Sequence, residues 1–319
     1  MNLKYFKLTG LALFMGFGIL QAQQSIPVYE QYFTQDAMII NPSMVGIGED
    51  IKFSASHRRQ WQSLPNGPNT TIVALHGNVI DRLGLGMYFA GDENGNTRTN
   101  SFNVAASYYI PIGNATNRED GQFGFGTSLS FTSYRFGGVT EMPNDPLYVG
   151  ETSIFIPYIN FGGTFQLSGW TLAASVLDIP LSYNSPIIDQ VEPNPVYYYA
   201  MLGKRFRVAE AFELEPVVLY RQNSNERRML DGNLRARVYS GENSFWIGGT
   251  YRYDMSGEQS EGLTISPSLG ASLGRFNLGF AYNIGLTDIA HEGQDGWSVN
   301  LGYDIDNFFR PNRNIDFPQ

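Results

Sequence analysis

Along most of this chain, apolar and small polar residues take turns. In GQFGFGTSLSFTSY, Gly121 to Tyr134, one face holds Phe123, Phe125, Leu129 and Phe131. The other holds Gly124, Gly126, Ser128, Ser130 and Thr132. Successive side chains of a strand point to opposite faces, so this is a strand with one greasy side and one small, polar side. The split recurs with Leu83, Leu85, Met87 and Phe89 against Gly84, Gly86 and Tyr88. It recurs with Phe276, Leu278, Phe280, Tyr282 and Ile284 against Arg275, Asn277, Gly279 and Asn283. Trp297, Val299, Leu301, Tyr303 and Ile305 oppose Ser298, Asn300, Gly302 and Asp304 in the same way.

The pattern predicts fourteen strands, at 50–58, 69–78, 82–91, 98–110, 121–134, 153–166, 169–178, 195–207, 211–222, 229–240, 243–253, 261–272, 275–284 and 296–305. Strand six, SIFIPYINFGGTF, has an ambiguous phase. An even number of roughly 10-residue strands with a two-residue period is the signature of an outer-membrane β-barrel. A soluble β-sandwich also alternates, with its apolar face inward, so both remain open on alternation alone. Strand length favours the barrel, because about 9–11 tilted residues cross a bilayer. Aromatics near the segment ends (Tyr108, Tyr109, Trp170, Tyr197 to Tyr199, Trp246, Tyr251, Tyr253, Trp297) suit interfacial girdles. The connections also alternate: long ones such as Arg135 to Thr152 and Ile179 to Asn194, short ones such as Leu167-Ser168 and Gly241-Glu242. Pro111 to Asp120 is the long exception among the short set. With a periplasmic N-terminus, the long connections face outside. The fold class expected is therefore all-β: an antiparallel transmembrane β-barrel of about fourteen strands, residues 50–305, with an N-terminal hatch segment before it and a tail, 306–319, after it.

The first residues, MNLKYFKLTGLALFMGFGILQAQQ, read as a secretory signal peptide over 1–22, ending at Ala22. Its apolar run of ~13 residues falls short of the roughly 20 a membrane helix needs. Charged residues are only 16% of the chain, below the ~25% of ordinary soluble domains, which fits a lipid setting. Without Lys4 and Lys7 of the leader, 19 basic residues face 30 acidic ones, which argues against nucleic acid as a partner. Cysteine is absent, so there is no disulfide framework and no thiolate metal site.

Residues 23–49 refuse to be a strand. Asn41-Pro42 favours a turn, Pro42 removes a donor, and Gly46 and Gly48 permit tight geometry. Met38, Ile39, Ile40, Met44 and Val45 nevertheless need cover. A barrel of this size has room inside for a plug. The segment is a periplasm-side or luminal hatch, or a lead-in packed on the barrel base.

The stretches QQSIPVYEQYFTQDAMIINPSMVG, HRRQWQSLPNGPNTT and LGLGMYFAGDENG resemble the PorP/SprF family of type IX secretion system outer-membrane proteins. The matching residues are Tyr29, Gln31 and Tyr32; Asn41, Pro42, Ser43 and Gly46; Arg59, Gln60 and Trp61 behind Arg58; Gly67, Pro68 and Thr70; and Gly84 and Gly86. Ser43 stands where the family has alanine, and His57-Arg58 replaces a Tyr-Arg start. The resemblance covers the first third of the chain. It implies a non-enzymatic barrel in the outer membrane of a Gram-negative bacterium, without cofactor. Its partners would be other secretion components, outer-membrane lipid and exported surface proteins such as adhesins, engaged through their C-terminal domains. It implies service in secretion or surface anchoring and, in some bacteria, gliding motility. The Asn-Pro turn also resembles, more distantly, the hatch of the fatty-acid-channel barrels, which implies passage of small or hydrophobic solutes instead.

Candidate chemistry is sparse. The three histidines, His57, His76 and His291, lack the spacing of a metal site or a flanking nucleophile motif. Arg235 and Arg237 lie opposite Leu234, Ala236 and Val238; Glu213, Glu215 and Arg221 share a face of their own strand. Charge on the lipid face at midplane costs about 2–4 kcal/mol for Arg or Lys, so these groups are expected to point inward. They form either a ladder of luminal ion pairs or a polar channel. Arg58, Arg59 and Trp61 end the first strand. They are either interface anchors for a partner or girdle and lipid-phosphate contacts. The Pro-rich loops Arg135 to Thr152 and Ile179 to Asn194 are further candidates for a partner surface.

Overall fold

A computed structural model of the protein describes residues 36–61, 66–80, 82–112, 121–136, 152–182, 194–256, 260–286 and 295–309. Tyr29, Gln31, Tyr32, His291, the leader and most of the tail lie outside them. The alternating segments form strands β1 (Ile51–Arg59), β2 (Asn69–Ile80), β3 (Leu83–Asn94), β4 (Thr97–Pro111), β5 (Gln122–Phe136), β6 (Thr152–Leu167), β7 (Trp170–Pro180) and β8 (Tyr197–Lys204). They continue as β9 (Phe206–Ala209), β10 (Phe212–Asn223), β11 (Arg228–Ser240), β12 (Asn243–Asp254), β13 (Glu261–Leu273), β14 (Phe276–Gly285) and β15 (Gly296–Ile305).

Both β8 and β9 pair with β10, so they are one stave interrupted at Arg205. The result is a closed antiparallel barrel of fourteen staves. Short connections leave sequence neighbours adjacent and antiparallel. Closure is direct: β1 pairs β15 from Ile51↔Ile305 to Arg59↔Trp297. Sheet closure removes the unpaired edges that an open sheet would present.

Side-chain polarity is inverted relative to a soluble protein. Leu85, Met87, Phe89, Leu129, Leu172, Leu234, Ile247, Leu269, Leu278 and Leu301 are exposed on the outside. Asn103, Ser128, Ser130, Asn160, Asn233, Thr250, Ser266 and Ser298 are buried on the inside. An apolar surface this continuous is covered by hydrocarbon in a membrane protein; on a soluble one it would drive association. Among the described residues every strand belongs to this one closed sheet, which removes the sandwich alternative. Among the described residues no helix is long and apolar enough to cross a membrane.

The strand bounds agree with those expected from alternation to within about three residues, with informative exceptions. The loop expected at Asp92 to Thr97 shrinks to Gly95 and Asn96, because β3 and β4 keep pairing to Asn94↔Thr97. The expected girdle is thinner. Tyr109, Tyr197, Tyr199 and Trp246 are buried, on the inner face, while Tyr108, Trp170, Tyr198 and Tyr251 are exposed. Strict alternation dictates this, since adjacent aromatics cannot share a face. The ambiguous phase of strand six has a similar origin. Ile156 and Tyr158 pack inward with Tyr134, and Phe155 and Phe161 are exposed, so both faces of β6 are apolar.

Candidate functional site

Residues 36–48 lie against the inner wall of the barrel. Two short 3₁₀ turns, Ala37–Ile39 and Pro42–Met44, shape the segment. Each is capped by the residue before it. Asp36 Oδ1 accepts from the Met38 N–H at 3.1 Å, and Asn41 Oδ1 accepts from the Ser43 N–H at 2.9 Å. These acceptors satisfy turn N–H groups that have no internal partner. Pro42 sits where its missing donor costs nothing.

The hydrogen bonds to the wall come from five strands. Asn41 Nδ2 donates to the carbonyls of Gly163 on β6 (3.2 Å) and Ala174 on β7 (3.3 Å). The Ser43 hydroxyl meets that of Thr164, and Ser175 donates to the Ile40 carbonyl. On β4, Ser107 donates to the Val45 carbonyl at 2.6 Å, and the Tyr109 hydroxyl donates to the same oxygen. The Gly46 N–H donates to His76 Nδ1 on β2 at 2.8 Å. That bond fixes the tautomer: the proton sits on Nε2, which donates to Asp36 Oδ2 at 2.9 Å. Ser54 of β1 donates to the same oxygen at 3.3 Å. Burial alone would push the Asp36 carboxyl up. His76, the Met38 N–H and the Lys52 ammonium outweigh it and hold the carboxyl well below its ordinary 3.8. Met38, Val45, Ala74 and Ala105 form an apolar cluster under the segment.

The inward glycines of β3, β5 and β6 make room for this segment. A Cβ on Gly126 would strike the backbone of Pro42 and Ser43. One on Gly162 would strike the Asn41 side chain, and one on Gly84 the Val45 carbonyl. Gly46 has φ +67° and touches the backbone of Gly77 and Gly84, so this position both turns left-handed and approaches closely. The Asn-Pro-Ser-x-x-Gly motif and the Gly-x-Gly of β3 are thus two sides of one contact.

The remaining motif residues gather at the far end of β1. Gln60 N–H donates to the Pro68 carbonyl at 2.9 Å. A Cβ on Gly67 would meet the carbonyls of Gln60 (2.6 Å) and Trp61 (2.8 Å). Arg58 and Arg59 part company: Arg58 is buried inside, donating to Thr70 at 3.3 Å, while Arg59 is exposed. Trp61 is half-buried with φ +50°. Arg58 to Trp61 and the Gly67-Pro68 pair therefore build one tight crossing between β1 and β2.

The inner wall of β10 to β12 carries the charges. Glu213, Glu215 and Arg221 point inward, as do Arg235 and Arg237. Arg235 pairs with Glu215, directly opposite in register. Glu213 meets Arg205 at 3.5 Å and accepts from Tyr239 at 3.3 Å. Arg237 lies 6.0 Å from the Tyr239 ring centre. Sequence reasoning missed the best-formed pair. Arg252 donates twice to Asp231, both at 2.8 Å, and both residues are nearly fully buried. Their register, Asp231↔Arg252, was the missing information. His76, Ser107, Tyr109 and Ser175 were missed too. The glycine column opposite the apolar face was the available signal for a segment lying on that wall. Among the described residues no three His, Cys, Asp or Glu side chains gather to hold a metal ion.

A closed barrel with an apolar outside, a polar inside and an N-terminal segment on its inner wall is an integral membrane β-barrel. Its fold matches known channels. CymD, a monoaromatic hydrocarbon channel, aligns with TM-score 0.54 at 13% identity over 84% of this chain and 92% of its own. The toluene transporters TodX of Pseudomonas putida (0.52, 11%, 88% and 95%) and TbuX of Ralstonia pickettii (0.51, 12%, 85% and 93%) are similar. At such identities the likeness is one of fold. No curated protein matches the chain. Residues 21–303 match the family described as type IX secretion system membrane protein PorP/SprF, and the chain belongs to that family. Its place is the outer membrane.

Proposed function

We propose that this barrel serves type IX secretion by holding exported proteins, adhesins among them, at the cell surface through their C-terminal domains. Residues 36–48 act as a hatch that keeps the lumen shut, and the client docks on the long connections. The signal peptide 1–22 is removed on export, and other secretion components share the complex. In a gliding bacterium the anchored client would serve motility. The observation that carries this reading is the family match across 21–303, joined to a segment bonded to five strands from within. Deleting the gene should release adhesins to the medium or trap them inside. Normal surface display in the deletant would refute it.

A second reading, transport of small hydrophobic solutes, draws on the barrel shape shared with CymD and TodX. The Glu215–Arg235 and Asp231–Arg252 pairs line the wall with charge that such solutes would not wet. Flux of toluene through liposomes carrying the purified protein would restore this reading; sealed liposomes remove it.

A further inference from the structure

Near its end, β7 breaks step. Val176 pairs with Phe161 and Ile179 with Ile159, so two residues, Leu177 and Asp178, oppose Asn160 alone. This is a β-bulge, and Asp178 adopts φ +60° within it. Unbroken alternation would place Asp178 with Leu172 and Val176, toward lipid. The bulge turns its carboxylate inward instead. Asn160 braces the arrangement: its Oδ1 accepts from the Asp178 N–H at 2.7 Å, and its Nδ2 donates to Ser128 and Ser130.

What surrounds Asp178 is unlike the rest of the wall. Glu213, Glu215 and Asp231 each meet a guanidinium. Asp178 accepts only from Asn194 Nδ2, at 3.3 Å, and no cation pairs with it among the described residues. Five inward tyrosines, Tyr88, Tyr134, Tyr158, Tyr197 and Tyr199, lie within electrostatic reach of its carboxylate. A second acceptor is unmet in the same network. Asn103 donates to Ser128 and Ser130, the hydroxyls that Asn160 shares, and its buried Oδ1 has no partner among the described residues. Two unmet acceptors suit a group that only donates: a guanidinium or an ammonium.

The sequence adds a direction of approach. Asp178 lies at the end of the barrel where the long connections join. The connections after β1, β3, β5, β7, β10, β12 and β14 together carry ten Asp or Glu, one Arg (Arg227) and no Lys, and the adjoining strand ends add Asp92, Glu93, Asp254 and Glu261 against Arg59, Arg98, Arg135 and Arg228. At the other end, acids and bases are mixed, with Arg82, Arg118, Arg205 and Arg275 among them. Connections of this composition favour cationic partners, as an unpaired inner carboxylate does.

We propose that this end of the barrel binds a basic, arginine- or lysine-bearing segment of polypeptide, with Asp178 as its inner anchor. The proposal rests on the reading that the barrel engages exported chains. Full-length protein in nanodiscs is titrated calorimetrically with acetyl-Gly-Arg-Gly-Arg-Gly-amide, with its citrulline counterpart and with free arginine amide. The arginine peptide should bind about ten-fold or more tightly than the citrulline peptide, and added salt should weaken it. Asp178→Asn should weaken it by about ten-fold or more, while Asp178→Glu should stay within about three-fold. Equal affinity for the two peptides overturns the proposal, even if Asp178→Asn fails to fold. Equal affinity of a folded Asp178→Asn barrel does so as well. Arginine amide binding as tightly as the peptide overturns the polypeptide as source. Exported proteins that co-purify undiminished with Asp178→Asn, while no peptide binds, sink this proposal and leave the secretion reading standing. Asp178-dependent peptide binding without any co-purifying client does the reverse.

Discussion

At the scale of single residues, Asn41 carries the inner segment. Its amide donates to two carbonyls of neighbouring strands and caps its own turn. Asn41→Ala removes both donations and the turn's cap, at a cost of about 0.5–1.5 kcal/mol for each hydrogen bond lost. Because the chain has no cysteine, a single Ile47→Cys can report docking. Maleimide labelling of that position should quicken in the Asn41→Ala background, and Gly126→Leu should act likewise by pushing Pro42 off the wall. Asp36 gives docking a pH dependence of known sign. Its folded carboxyl titrates below 3.8, so its contribution is complete above that pH and is lost as pH falls through the depressed value. The mobility of a nitroxide attached beforehand at Ile47→Cys should therefore rise only below about pH 4 in an Asp36-dependent manner, and Asp36→Asn should abolish that rise.

Individual strands show what alternation can and cannot reveal. Apolar and small residues share out cleanly in β3, β5, β14 and β15, so the existence, length and facing of those strands follow from order alone. Register does not, because it depends on which residue of the next strand lies opposite. Hence Arg235 and Glu215 were legible as inward charges, but Asp231 and Arg252 were not legible as a pair. Local breaks were equally hidden: nothing in TLAASVLDIP marks the bulge at Asp178, and nothing in YYYAMLGKRFRVA marks the interruption at Arg205. The Asn-Pro turn was readable as a non-strand segment, whereas its landing place was written in glycines whose purpose needs the third dimension. The buried pair makes a clear test. Asp231→Leu should destabilise the barrel by about 3–5 kcal/mol, since it strands a buried guanidinium. Asp231→Leu with Arg252→Met should recover most of that loss, measured by urea unfolding in lipid vesicles.

For the molecule as a whole, the outer face sets where it can live. Phe280 lies midway along β14 and faces out, whereas Phe276 begins that strand. Phe280→Arg should cost about 2–4 kcal/mol in vesicle-folding titrations, and Phe276→Arg about 0–1 kcal/mol, if hydrocarbon covers this surface. Equal costs would place the membrane elsewhere. The seam between Ile51–Arg59 and Gly296–Ile305 bears on birth rather than on performance. The earliest stave finds its second neighbour only in the last ten residues of β15 to be translated. Until the ribosome finishes, two raw margins stay open, each able to recruit a stranger. Synthesis and insertion must then be separate events, with an escort keeping the unfinished sheet apart from its siblings. A message truncated before Gly296 should yield aggregate in the periplasm and no smaller barrel.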